Sequence, residues 1–444
     1  MRRLNIYVAL LSLLLILTAC SIFIADANEG SLKVTSDPAS HYDVSMKSDI
    51  EEFEKYHITI HYPQTPNDQI DQVIIDYVNQ KKDVFKKRSY KVVLNSEEQS
   101  VHELHIDYDI VYQDEKVFVV EFIETTDIGQ KQADVSRTVM NFDKSSGKRL
   151  DLKNLFKKGT NYKKALLQET KEKLGKQSET DSSISFENIA LSGDSLLVYL
   201  TGEEQKRWNT STSKVSIDKQ VLKDILVPEY AQVVVQTQEE NKAEASFPKI
   251  EKSDQSPERV EGKKVALTFD NGPHPKRTPL ILDVLEKYDA NATFFMIGKR
   301  VKHFPETARE VVKQGHMVGN HTWTHPGFER LSDSQQKAQL DKTRDLIQEV
   351  MGVNTNLVRL PFEGKLPEAF RDRYEVVPWT INTTEDWNLT NASEIANAVI
   401  SNVEDGSIIV LSSLHSVTPE ALDIILDELT AQGYSFVPVS TLQK

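Results

Sequence analysis

The sequence is short of cysteine, of positive charge and of long apolar runs. A single cysteine, Cys20, stands among 444 residues. No structural disulfide can form within the chain, and no second thiol is present for catalysis. Lysine and arginine number 53 against 67 aspartates and glutamates, a formal net charge of −14. That balance argues against a nucleic-acid partner and against a polybasic membrane patch. The apolar run Leu4–Leu17 is too short for an ordinary transmembrane span. What is present is ordinary for a globular protein: 39% hydrophobic and 27% charged residues. The length suggests two or three domains, each able to bury a core.

The N-terminus combines Met1-Arg2-Arg3, the apolar run and then Leu17-Thr18-Ala19-Cys20. The last four residues resemble the bacterial lipobox. Cleavage there would make Cys20 a lipidated N-terminus and hold the chain at a membrane surface, outside the cytoplasm and facing the cell wall. The alternative is an uncleaved signal anchor in which Cys20 is incidental.

Residues 1–20 thus read as a leader and 21–50, polar and aperiodic, as a tether. Residues 51–145 and 146–230 read as two small α+β domains with antiparallel strands and few helices. The runs 57–62, 100–113, 116–124 and 135–143 alternate as strands, and Ile70–Phe85 carries a helical apolar face. His57, His61, His102 and His105 fall on these strands and read as strand residues rather than ligands. Residues 231–262 are rich in Glu, Lys, Ser and Gln, which marks a linker. From 263 to 444 strands and helices alternate, which implies a parallel sheet.

The most informative stretch is His321-Thr-Trp-Thr-His325. Two imidazoles four residues apart can meet one metal ion, although a lone pair of this kind is weak evidence. Asp270-Asn271, at the end of the strand-like run from Lys263, adds a carboxylate and an amide oxygen. TFDNGP (268–273) followed by HTWTH (321–325) resembles the first two motifs of the polysaccharide deacetylases of carbohydrate esterase family 4, the NodB-homology domain. The resemblance covers about residues 263–444. It implies an α/β fold of distorted TIM-like (β/α) barrel type. It also implies a divalent metal, zinc foremost, with cobalt, nickel or iron as alternatives. By the same resemblance Asp270 is the catalytic base, and Asn271, His321 and His325 are metal ligands.

Arg359-Leu-Pro361-Phe362-Glu-Gly364 resembles the third motif. Arg359 would orient Asp270, and Pro361 and Phe362 would line the substrate groove with Trp387 and Leu411. Asp386-Trp387 resemble the end of the fourth motif. The departures concern the reaction centre. Asn271 and Asn382 stand where the family has acids, Glu363 replaces a glycine, and Ser412 occupies the general-acid histidine position. His415, three residues on, is a substitute acid only if the chain slips locally. The resemblance implies metal-dependent N-deacetylation of peptidoglycan or a related N-acetylated wall glycan. The alternative is an impaired homologue that binds or organises wall glycan without turnover.

Overall fold

The computed structural model describes residues 42–53, 55–95, 101–130, 133–175, 184–231, 262–383 and 391–442. Cys20, Asp386, Trp387 and most of the linker lie outside them. The described residues all belong to one compact unit, Tyr42–Lys444. No helix among the described residues is long and apolar enough to cross a membrane.

This unit holds three sheets. The first has five strands in the order β1 (Ser45–Phe53), β2 (Tyr56–Gln64), β3 (His102–Gln113), β4 (Val117–Asp127) and β5 (Asp134–Asp143). β1 corrects the expected tether, whose residues 45–50 are strand. Their polar alternation hid them, because one face of β1 is turned to other polar groups. β2 and β3 pair in parallel, against the antiparallel expectation. The 28-residue helix Asp68–Asn95 between them is long enough to make the crossover that parallel pairing needs.

Alternation sorts the side chains of this sheet. Ile58, Ile60, Leu104 and Ile106 pack with Ile70, Ile74 and Val78 of the helix. Thr59, His61, Glu103 and His105, one residue out of phase, face the other way. β4 is apolar on both sides. Phe118 and Val120 join the helix side, while Val117 and Val119 join the core of the next sheet. That sheet has three strands, β6 (Ile189–Leu191), β7 (Ser195–Tyr199) and β8 (Lys214–Asp218). The two small sheets therefore share one hydrophobic core across the expected boundary at 145.

The third sheet contains β9 (Lys263–Gly272), β10 (Ala292–Met296), β11 (Met317–Asn320), β12 (Leu357–Val358), β13 (Glu375–Val376), β14 (Ile381–Asn382), β15 (Ile408–Ser412) and β16 (Tyr434–Phe436). Its order is β13-β12-β11-β10-β9-β15-β14, with β16 beside β9. Every pairing is parallel. The sheet curls into an incomplete, distorted (β/α) barrel. Leu267, Phe269, Ile409 and Leu411 turn outward to Ile281, Leu285, Leu422 and Ile425 of the surrounding helices. Thr268, Asp270, Val410 and Ser412 therefore share the inward face.

Candidate metal centre

The C-terminal ends of β9, β11, β12, β14 and β15 bring together Asp270-Asn271, His321, Arg359, Asn382 and Ser412. The loop after β11 is fixed from both sides. Asn320 is fully buried, and its Oδ1 accepts the Thr322 amide. Gln339 Oε1 accepts the amides of Trp323 and Thr324. His325 then returns beside His321, with ring centroids 4.8 Å apart.

Each imidazole is oriented through Nδ1. His321 Nδ1 donates to the Arg359 carbonyl at 2.7 Å, which leaves the Nε2 lone pair for a ligand. His325 Nδ1 lies 3.1 Å from Thr59 Oγ1, and the tautomer that donates there leaves Nε2 likewise available. Burial holds both imidazoles below the usual histidine range, His325 well below it, with His321 adding to the effect at His325. Neutral imidazole is the ligating form.

Asp270 Oδ1 accepts from Arg359 Nη1 at 2.8 Å, and both side chains are buried. The guanidinium does not present a two-pronged fork to this carboxylate. Nη1 also donates to Thr268 Oγ1, Nε to the Val377 carbonyl and Nη2 to the Pro378 carbonyl. Its plane lies against Phe295, 4.2 Å from the ring centroid.

Asn271 Oδ1 is buried and has no hydrogen-bond partner. An orphaned amide oxygen beside two imidazoles with available Nε2 atoms fits a divalent cation. The third donor is neutral, and among the described residues no group of three His, Cys, Asp or Glu is placed to hold a metal.

These residues line a cavity of about 20 Å³, together with Glu52, Leu360, Phe362, Glu363, Trp379, Asn382 and Val410. That is room for one water. Eight non-glycine residues among those described have positive φ. Five of them, Asn271, Thr322, His325, Phe362 and Glu363, belong to this region. Such clustering of strained backbone is a mark of functional sites. Glu363, where the family motif has glycine, sits at φ 54°, in the left-handed region that glycine enters most easily. Gly364 one residue later is at φ −54° and takes no advantage of being glycine.

Other expected site residues are placed differently. Leu411 points into the core between sheet and helices, so it does not line the groove, and strand alternation is the reason. Val410 lines the cavity instead. Pro361 is buried and lies outside the cavity lining. Ser412 pairs with Asp270 in the ladder, but its Oγ accepts the Leu414 amide at 3.2 Å. His415 is half-buried, is pushed down by burial and by Arg277, and is not part of the lining.

The residues missed by the sequence come from the first sheet. Glu52 borders the cavity, Thr59 meets His325, and His57 stacks on Phe362 with centroids 4.1 Å apart. The polar face of HITIHY was a usable signal, since Thr59 and His61 are both buried.

A family model for polysaccharide deacetylase matches residues 258–376. A peptidoglycan-N-acetylglucosamine deacetylase of Bacillus cereus is 37% identical over 187 residues, covering 40% of this chain and 87% of that protein. The chain belongs to the polysaccharide deacetylase family. Over most of its length it is also similar to the peptidoglycan-N-acetylmuramic acid deacetylase PdaC of Bacillus subtilis. That similarity is 29% identity over 428 residues, 93% of this chain and 90% of the relative. A solved structure of PdaC is 39% identical, covers 41% of this chain and 91% of that one, and gives a TM-score of 0.40. The family and the homologues named here are deacetylases of polysaccharides and peptidoglycan.

Proposed function

We propose that this chain is a metal-dependent N-deacetylase of peptidoglycan or a closely related wall glycan. The observation that carries this is the orphaned Asn271 oxygen beside His321 and His325, next to an Asp270 pinned by Arg359. The likeness to PdaC along nearly the whole chain supports a wall glycan as substrate. His321 Nε2, His325 Nε2 and Asn271 Oδ1 would hold the ion. A bound divalent ion supplies Lewis acidity toward the acetamide carbonyl and lowers the pKa of water. Asp270 takes the proton from the attacking water, and Arg359 fixes which carboxylate oxygen faces it. The Phe362 amide is the natural donor to the developing oxyanion, as the family motif implies. The amine product must then gain a proton.

That last step favours a second reading. Among the described residues, no imidazole other than His321 and His325 lines the cavity. Ser412 holds the general-acid position and cannot deliver a proton as imidazolium can. General acid catalysis is typically worth about 10²–10⁴-fold, so this chain is either a slow deacetylase or a glycan-binding homologue. Mass spectrometry of N-acetylglucosamine oligomers and of peptidoglycan, incubated with the metal-loaded detergent-solubilised chain, decides between them. Loss of acetyl groups supports turnover. Intact glycan with retained binding supports the second reading.

We also propose that Cys20 carries a lipid that holds the chain outside the cytoplasmic membrane. The support is the lipobox-like Leu-Thr-Ala-Cys after a short apolar run. Cys20→Ala should block processing or release the protein from membranes. Unchanged retention at the unprocessed mass would show a signal anchor instead.

A further inference from the structure

The polar face of the first sheet lies over the candidate metal centre, and hydrogen bonds and ion pairs join the two. His61 Nε2 and His105 Nε2 both donate to the Thr324 carbonyl, at 3.0 and 2.9 Å. A relay runs behind them. Arg300 Nη1 donates to Ser48 Oγ, and Ser48 donates to His61 Nδ1. Glu103 accepts the Gly327 amide at 2.6 Å and pairs with Arg330 at 3.1 Å. Lys299 pairs with Asp107 at 2.6 Å. Thr59 and His57 meet His325 and Phe362, and Glu52 borders the cavity.

Two facts about this arrangement conflict with a permanently closed site. The space beside the centre is narrow: at about 20 Å³ it suits one water. An acetamido group has four heavy atoms where water has one, and a sugar ring must follow it. The joint also lacks an apolar core of its own. The apolar clusters of sheet and barrel are separate, with Phe304 as the barrel residue packed on the sheet's cluster. Polar contacts are re-hydrated when they part, so an interface of this kind separates far more easily than a hydrophobic one.

We propose that the first sheet, which turns the polar face of β1–β3 to the barrel, is a displaceable cover over the metal centre, and that glycan enters only when this cover lifts. The ligand named here rests on the deacetylase reading. The cover itself rests on the geometry. Apparent glycan affinity is then reduced by the fraction of molecules that are closed, and weakening the cover removes that penalty.

The test uses the full-length chain, loaded with zinc, and the tetramer of N-acetylglucosamine as probe. Glu103→Ala with Asp107→Ala removes two carboxylates that hold the cover and touches no residue of the reaction centre. The expected result is tetramer binding tightened about tenfold or more by calorimetry. Hydrogen exchange of the 324–330 amides, Gly327 above all, should also be faster without ligand. Gly327→Ala is a second variant with the same expected outcome. Its backbone, at φ −59° and ψ 101°, suits alanine, while the added Cβ would collide with the Glu103 carboxylate.

A measurement on the wild type guards against misfolded variants. Saturating tetramer should raise exchange at Gly327 if the cover lifts, and slowed exchange there would overturn the proposal. If variants and wild type exchange alike and bind the tetramer equally, the cover is refuted and the deacetylase reading stands. If the variants loosen the loop but the tetramer binds to none of the proteins, the cover stands and the glycan reading is lost.

Discussion

Replacing Arg359 with alanine should destabilise the barrel severely and yet spare its metal site. The guanidinium is 1% exposed and makes four hydrogen bonds. Its loss leaves the Asp270 carboxylate, 7% exposed, without its cation. It also orphans the carbonyls of Val377 and Pro378 and empties the space against Phe295. Removing one partner of a buried ion pair typically costs about 3–5 kcal/mol, because the other charge stays buried. That is a large share of the roughly 5–15 kcal/mol that separates a folded domain from its unfolded chain. Equilibrium urea unfolding measures it. The double variant Arg359→Ala with Asp270→Asn, compared with each single variant, should recover part of the loss, with a coupling energy of about 1–3 kcal/mol. The metal site should persist, because His321 is held by the backbone carbonyl of residue 359, which any substitution retains. Zinc affinity should therefore stay within about threefold, under ~0.7 kcal/mol. A stability loss below about 1 kcal/mol, or a cycle without coupling, would refute the claim that Asp270 depends on this cation. Loss of zinc binding in a folded Arg359→Ala protein would refute the backbone account of His321.

Asn271→Asp should tighten zinc binding about tenfold or more, ~1.4 kcal/mol, by giving the orphaned oxygen a charge. Calorimetry reads the gain, and equal affinity in the two proteins would remove Asn271 from the ligand set. Ser412→His combined with Asn382→Asp should raise deacetylation about 10²-fold or more by supplying a supported imidazolium, and no gain would displace the acid from this position. The buried His316 is held down to about 4 by burial. The unfolded chain takes up this proton near pH 6.5 and the folded one only near 4, so stability falls as pH drops through that window. The slope is at most ~1.4 kcal/mol per pH unit for this group. His316→Leu should flatten the fall, and an unchanged slope in urea titrations would assign it to other groups.

The sequence by itself, through its resemblance to a family, pointed to the barrel and to the residues at its rim. Alternating strand and helix patterns from Lys263 onward imply a parallel sheet, and the family resemblance implies a barrel with its site at the strand C-termini. Asp270, His321 and Arg359 carry motifs tied to those ends, so local pattern was enough to find them. Leu411 shows the limit of that logic, because one step along β15 exchanges cavity for core, and Val410 took the place expected of it. Glu363 was legible as a departure, while its left-handed backbone was not. Tertiary structure alone decided what covers the centre. Thr59 and His325 are separated by 266 residues. No periodicity links two segments so distant, because each strand's alternation says which side chains turn away from its own core and never what they turn toward. The polar buried face of β2 was visible as pattern. Its partner, the loop from His321 to Arg330, became known only when the two surfaces met.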